Sequence, residues 1–148
     1  LDNDLFGGRY KVEGRNIALS DIRVPVFIVG TVKDHVSPWR SVYKFNLTSD
    51  APEITFVLTS GGHNAGIISE PQKLKRTYQM LTRREGENYM DPDQWLEEAP
   101  CFKGSWWIPW QEWLKANTSG RTAPPEMGAP KKGLRILGEA PGKYVHQS

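Results

Sequence analysis

The stretch VPVFIVGTVKDHVSPW, residues 24–39, holds an apolar run that stops at an acid and a histidine. Every residue from Val26 to Val29 is apolar. That predicts a strand over Val24–Val32 covered on both faces, as in the interior of a parallel sheet. Pro25 fits only near the start of such a strand, where its missing N–H is harmless. Asp34 and His35 follow the strand end, and Ser37-Pro38 reads as a helix start with serine as cap and proline in the first turn. Val42, Tyr43 and Phe45 then pack back on the sheet.

A second run, ITFVLTSGG over residues 54–62, predicts another strand of the same kind, ending in two glycines with His63 next. Strand, helix and strand in this order argue for the α/β class. Before them, Val12, Ile17 and Leu19 mark short extended pieces among glycines. After them the texture changes. Residues 72–84 read as a basic surface segment, partly helical or extended. DPDQW opens a helix at Asp91 with Pro92 first and Gln94 placed for a capping box. In SWWIPWQEWLKA, Trp106, Trp110, Trp113 and Leu114 share one helical face. Beyond Asn117, recurring proline and glycine predict an irregular tail that wraps rather than packs.

The chain has 148 residues, enough for one domain with a core of its own. Nineteen basic and seventeen acidic residues nearly cancel, which gives no electrostatic case for a nucleic-acid or membrane-surface partner. No apolar run approaches the roughly 20 residues that span a bilayer. The start, Leu1-Asp2-Asn3-Asp4, reads as the middle of something longer. The single cysteine, Cys101, excludes an internal disulfide framework and suits a reducing compartment.

Asp34 and His63 both lie just past the end of a buried strand, 29 positions apart, one crossover from each other. In open α/β sheets that edge gathers ligands and catalytic groups. A carboxylate that accepts from one ring nitrogen fixes the histidine tautomer, and the other nitrogen can then take a proton from a nucleophile. Gly61 and Gly62 allow the sharp turn that projects the imidazole. The competing reading makes Asp34 a helix cap and His63 a loop histidine. His35 diverges from Asp34 along the chain and is assigned a supporting hydrogen bond. His146 falls in the tail. Three histidines without cysteine or carboxylate at ligand spacing predict no metal site. Cys101, in APCFKGS, lacks the G-x-nucleophile-x-G turn and follows the acid and histidine, so it is read as filler. The tryptophans are read as packing the last helix on the sheet, with a substrate groove as the rival. Lys73, Lys75, Arg76, Arg83 and Arg84 are read as a solvated face, with a phosphate-rich substrate as the rival.

Four blocks, PVFIVGTVKDHVSPWRSVYK, FVLTSGGHNAGIISEP, GSWWIPWQEWL and APGKYV, occur in order between Leu5 and Val145. Together they resemble the C-terminal part of polyhydroxyalkanoate synthases. GSWW points to the one-subunit classes, and HNAG leans to class I. The resemblance implies that residues 1–148 are the C-terminal portion of one α/β-hydrolase domain. The strand–helix core covers about 1–85, and a Trp-rich helical segment with its tail covers about 86–148. It implies a Cys–His–Asp triad with Asp34 and His63 as catalytic residues, His35 and Trp39 beside them, and the cysteine upstream of these residues. The implied reaction moves (R)-3-hydroxyacyl groups from coenzyme A to a growing polyester, with no metal or redox cofactor. The implied setting is the cytoplasm, at the polyester granule surface, as a possible homodimer. The chain departs from the family at Asn64, where Ile is common, and at Ser69-Glu70-Pro71, where NPP is common, which bears on monomer preference. Rival readings are an α/β-hydrolase esterase or polyester depolymerase, and a catalytically silent truncated domain that binds a partner or granule.

Overall fold

The structure, a computed structural model, describes residues 2–72 and 75–147. Lys73, one of the basic residues singled out above, lies outside them. The chain divides into two compact units, one ending at Thr118 and one running from Ser119.

The first unit opens with a hairpin of β1 (Tyr10–Val12) and β2 (Arg15–Ile17). The main sheet follows. Its strands are β3 (Val26–Thr31), β4 (Glu53–Thr59), β5 (Thr77–Arg84) and β6 (Cys101–Lys103), in that spatial order. β3 and β4 are parallel, in register from Val26↔Ile54 to Thr31↔Thr59. β5 and β6 run antiparallel to their neighbours, so the sheet is mixed. Two short helices, α1 (Trp39–Tyr43) and α2 (Phe45–Thr48), bridge β3 to β4. α3 (Pro92–Glu98) lies between β5 and β6, and α4 (Trp107–Ala116) follows β6.

Alternation along the strands divides the core into two layers. Ile28, Phe56, Leu58 and Leu81 face Trp39 and Tyr43 of α1 and Trp95 of α3. Phe27, Val29, Val57 and Met80 face the other way, with Tyr78 and the paired Trp106 and Trp107. Aromatic edges fill the first layer: Phe56 meets Tyr43 and Trp95 with ring centroids 5.0 Å apart in both cases. β4 is buried along its length after Glu53. β3 packs on both faces as expected, but its first four residues are only half-buried, because no described strand pairs with its outer edge.

The basic segment takes the extended one of its two readings, and from Thr77 it forms β5, half-buried along most of its length rather than a solvated face; Arg76 just before it donates to the Ser60 carbonyl and Arg84 pairs with Glu53 at 3.3 Å. Two helix starts differ from the reading above. The helix after Asp34 starts at Trp39, with Pro38 as its cap residue and no side chain capping it. Asp91 does cap α3, accepting from the Asp93 and Gln94 N–H groups, but the Gln94 side chain turns to Glu98 and forms no capping box. α4 tolerates Pro109 because it falls in the first turn, where no intrahelical N–H bond is due. No helix among the described residues is long and apolar enough to cross a membrane.

The second unit is largely exposed. It holds two single-turn helices, Pro130–Lys132 and Tyr144–His146, and an isolated bridge between Ala129 and Leu134.

Candidate active site

The parallel pair β3 and β4 ends level, at Thr31 and Thr59. Both chains continue past the sheet side by side: the Val32 N–H donates to the Thr59 carbonyl and the Lys33 N–H to the Gly61 carbonyl. Two loops therefore leave one sheet edge already tied together. Asp34 stands three residues after β3, and His63 stands four residues after β4.

Asp34 is held by its own loop. Its N–H donates to the Thr31 carbonyl, and its Oδ1 accepts from the Val36 and Ser37 N–H groups at 2.9 and 2.8 Å. This side-chain-to-backbone turn is typical of aspartate. The second oxygen stays available. Asp34 Oδ2 lies 2.8 Å from His63 Nδ1. The Asp34 side chain is 8% exposed and that of His63 50%. The Ser37 N–H first, and then the His63 ring and the Val36 N–H, hold the Asp34 carboxyl below its ordinary value, against a partial loss of hydration that pushes it up. The two competing readings of Asp34 are thus both present in the geometry. One oxygen organises the turn and the other meets His63.

His63 sits inside a tight turn closed by the Gly66 N–H donating to the Gly62 carbonyl at 2.9 Å. Gly61 enters this turn at φ +122°, a conformation side-chain-bearing residues rarely adopt. With Nδ1 facing the carboxylate, the half-exposed ring directs Nε2 away from Asp34. A neutral imidazole so oriented can take a proton from a group placed beyond it.

The chain is 34% identical over 98% of its length to the poly(3-hydroxyalkanoate) polymerase subunit PhaC of Rhizobium meliloti. It is 35% identical over 98% of its length to the protein of the same name from Cupriavidus necator. Poly(3-hydroxyalkanoate) polymerase 2 of Ectopseudomonas oleovorans is 35% identical over 91% of the chain. This chain is homologous to a segment of the poly(3-hydroxyalkanoate) polymerases. It spans 22 to 24% of the length of these relatives. No protein-family model matches it.

The resemblance also placed His35 and Trp39 beside the pair, and the spacing argument set Cys101 aside as filler. His35 is exposed, and among the described residues none hydrogen-bonds its ring. Trp39 is 7% exposed in the core, 6.3 Å from the Phe56 and Trp95 rings, with the Arg40 guanidinium 4.6 Å over its face. It is a packing residue of α1. Cys101 is exposed on β6, opposite Gln79 of β5.

Three residues that spacing did not connect to the site do reach its loop. The Trp106 indole donates to the Gly66 carbonyl at 3.2 Å and the Trp107 indole to the Ile67 carbonyl at 2.9 Å. The Ser105 hydroxyl donates to the Ser69 carbonyl. The GSWW block was visible in the sequence, but nothing in it told which carbonyls its donors meet.

Proposed function

We propose that this chain supplies the acid–base pair of a poly(3-hydroxyalkanoate) polymerase, within an α/β-hydrolase-type sheet of which β3 and β4 are central strands. The observation that carries this reading is the 2.8 Å contact between His63 Nδ1 and Asp34 Oδ2 at the shared end of two parallel strands. His63 Nε2 takes the proton of a cysteine thiol in the segment of the polymerase upstream of these residues. The thiolate attacks the thioester carbonyl of a (R)-3-hydroxyacyl-CoA, the bond to the coenzyme A sulfur breaks, and the coenzyme leaves as its thiol with the proton from His63. An enzyme thioester remains. In the second half, His63 accepts the proton of a 3-hydroxyl, whose oxygen attacks that thioester. The ester bond forms, the thioester bond to the cysteine breaks, and the cysteine is released as its thiol with the proton from His63. Asp34 holds His63 in the productive tautomer and stabilises the imidazolium in both halves. The scheme uses a nucleophile, a base and an orienting acid, with coenzyme A as carrier and no metal or redox group.

The polyester, and with it the granule surface in the cytoplasm, is the proposed macromolecular partner, and a homodimer is the proposed assembly. The HNAG block around His63 leans to class I, and the departures at Asn64 and Ser69-Glu70-Pro71 beside it bear on which monomers are taken. The test is release of coenzyme A by the complete polymerase. Asp34→Asn is expected to lower turnover about 10²- to 10⁴-fold and His63→Ala at least as much. His35→Ala is expected to stay within a few-fold of wild type. Wild-type turnover in either Asp34→Asn or His63→Ala would overturn the assignment.

A further inference from the structure

The loop of residues 60–71 carries His63 but has little regular structure to hold it. Its carbonyls at Gly66, Ile67 and Ser69 have no strand or helix partner; Gly66 and Ser69 are buried, and buried carbonyls need donors. Ser105, Trp106 and Trp107, three consecutive residues between β6 and the first turn of α4, supply them. Ser105 is 3% exposed and Trp106 5%, so these donors are fixed by the core. The Ser105 oxygen also accepts from the Trp107 N–H at 3.1 Å, which orients the serine and the second tryptophan together.

Packing alone does not require this arrangement. The Trp113 indole N–H, on the same helix, is buried with no partner among the described residues, although its ring lies 5.6 Å from Phe27. The donors of Trp106 and Trp107 instead meet adjacent carbonyls of one loop. Trp106 also stacks on Phe27 of β3, with centroids 6.3 Å apart and planes 26° from parallel. It therefore links β3, whose end carries Asp34, to the turn that carries His63.

We infer that Ser105, Trp106 and Trp107 are positioning residues for His63, a three-donor clamp that fixes the turn Gly62–Gly66 against β3. The inference rests on the assignment of Asp34 and His63 as the acid–base pair. The clamp acts through the backbone. It sets where the imidazole sits and touches no reacting atom. A displacement of the base by about 1 Å can cost 10²-fold in rate, so loosening the clamp lowers kcat while leaving substrate binding largely intact.

The test separates the N–H donor from the ring. In the complete polymerase, Trp107 is replaced by 3-benzothienylalanine, which keeps the bicyclic shape and lacks the N–H, and in parallel by Phe. Ser105→Ala removes the third donor. Turnover is read as coenzyme A release, and the loop is read by hydrogen exchange of the peptide covering residues 60–69. The expected result is a fall in kcat of about 10- to 100-fold with KM within about two-fold. Faster exchange in that peptide accompanies it, and both changes appear in the benzothienyl variant as in Phe. Wild-type kcat in the benzothienyl variant overturns the clamp, as does a loosened loop with unchanged kcat, or unchanged exchange. Asp34→Asn is measured alongside. Wild-type turnover there overturns the acid–base reading itself, whatever the clamp variants do.

Discussion

Gly66 lies flush against Thr31. A Cβ built on Gly66 would fall 2.6 Å from Thr31 Cγ2 and 2.9 Å from Thr31 Cβ, with the Gly62 carbonyl oxygen at 3.1 Å. Thr31 ends β3 and its carbonyl accepts the Asp34 N–H. Gly66 closes the turn on His63. Together with the Val32 and Lys33 N–H bonds to the Thr59 and Gly61 carbonyls, this contact sets the approach of the two loops. Gly66→Ala is expected to destabilise the fold by about 1–3 kcal/mol, the usual cost of forcing a methyl into packed space. It should also part His63 from Asp34. Thermal or denaturant unfolding checks the first effect, and a Tm equal to wild type would show that the loops have room to separate.

The other face of Thr31 gives the opposite expectation. Its side chain is 2% exposed, and its Oγ1 is buried with no partner among the described residues. An unsatisfied buried hydroxyl costs about 1–3 kcal/mol. Thr31→Val keeps the branched shape and the contact with Gly66 while removing that hydroxyl. It is expected to raise stability by about 1 kcal/mol, read as a shift of the denaturant midpoint at constant slope.

What the sequence made legible follows from burial. β3 and β4 are near-continuous apolar runs, which is how a strand covered on both faces reads. Their level ends put Asp34 and His63 on one edge, so that pair could be read from spacing. β5 could not. In TYQMLTRR the apolar Tyr78 and the adjacent Met80 and Leu81 sit among polar residues whose needs are met only in three dimensions. Gln79, for example, donates to the Leu96 and Ala99 carbonyls. β6 has three exposed residues, too few to show a period. The tryptophan block read as packing, which Trp106 and Trp113 do. Its indole donors carry no sequence signal, because their partners are backbone carbonyls forty positions away.

The two helix starts provide a matched pair. Asp91 accepts from two N–H groups at the start of α3, at 2.9 and 3.1 Å. Asp91→Ala should cost about 0.5–2 kcal/mol. The Ser37 side chain caps nothing, since α1 begins at Trp39 without a side-chain cap. Ser37→Ala should stay within about 0.5 kcal/mol of wild type. Equal losses at the two positions would mean that the Ser37 hydroxyl supports the Asp34 turn.

Cys101 is a free, exposed thiol on a short strand, and it belongs to neither the Asp34–His63 pair nor the clamp. Cys101→Ala in the complete polymerase is expected to leave coenzyme A release within about two-fold of wild type and stability within about 0.5 kcal/mol. A loss of several orders of magnitude in a folded variant would make Cys101 the nucleophile.

Asp34 should also be visible in the pH dependence of stability. Its carboxyl is held below the ordinary value of 3.8 in the folded chain, chiefly by the Ser37 N–H and then by His63 and Val36. A group with a depressed folded pKa binds its proton more weakly than in the unfolded chain. Its contribution is therefore complete above the unfolded pKa and is lost as pH falls through the folded pKa. Asp34→Asn keeps an oxygen for the turn but removes the carboxylate charge that faces His63. The Tm of wild type should exceed that of Asp34→Asn near neutral pH, and the gap should begin to narrow below about pH 4 and close at lower pH. A gap that stays constant down to the acid transition would place the effect of the substitution in packing rather than in ionisation of this carboxylate.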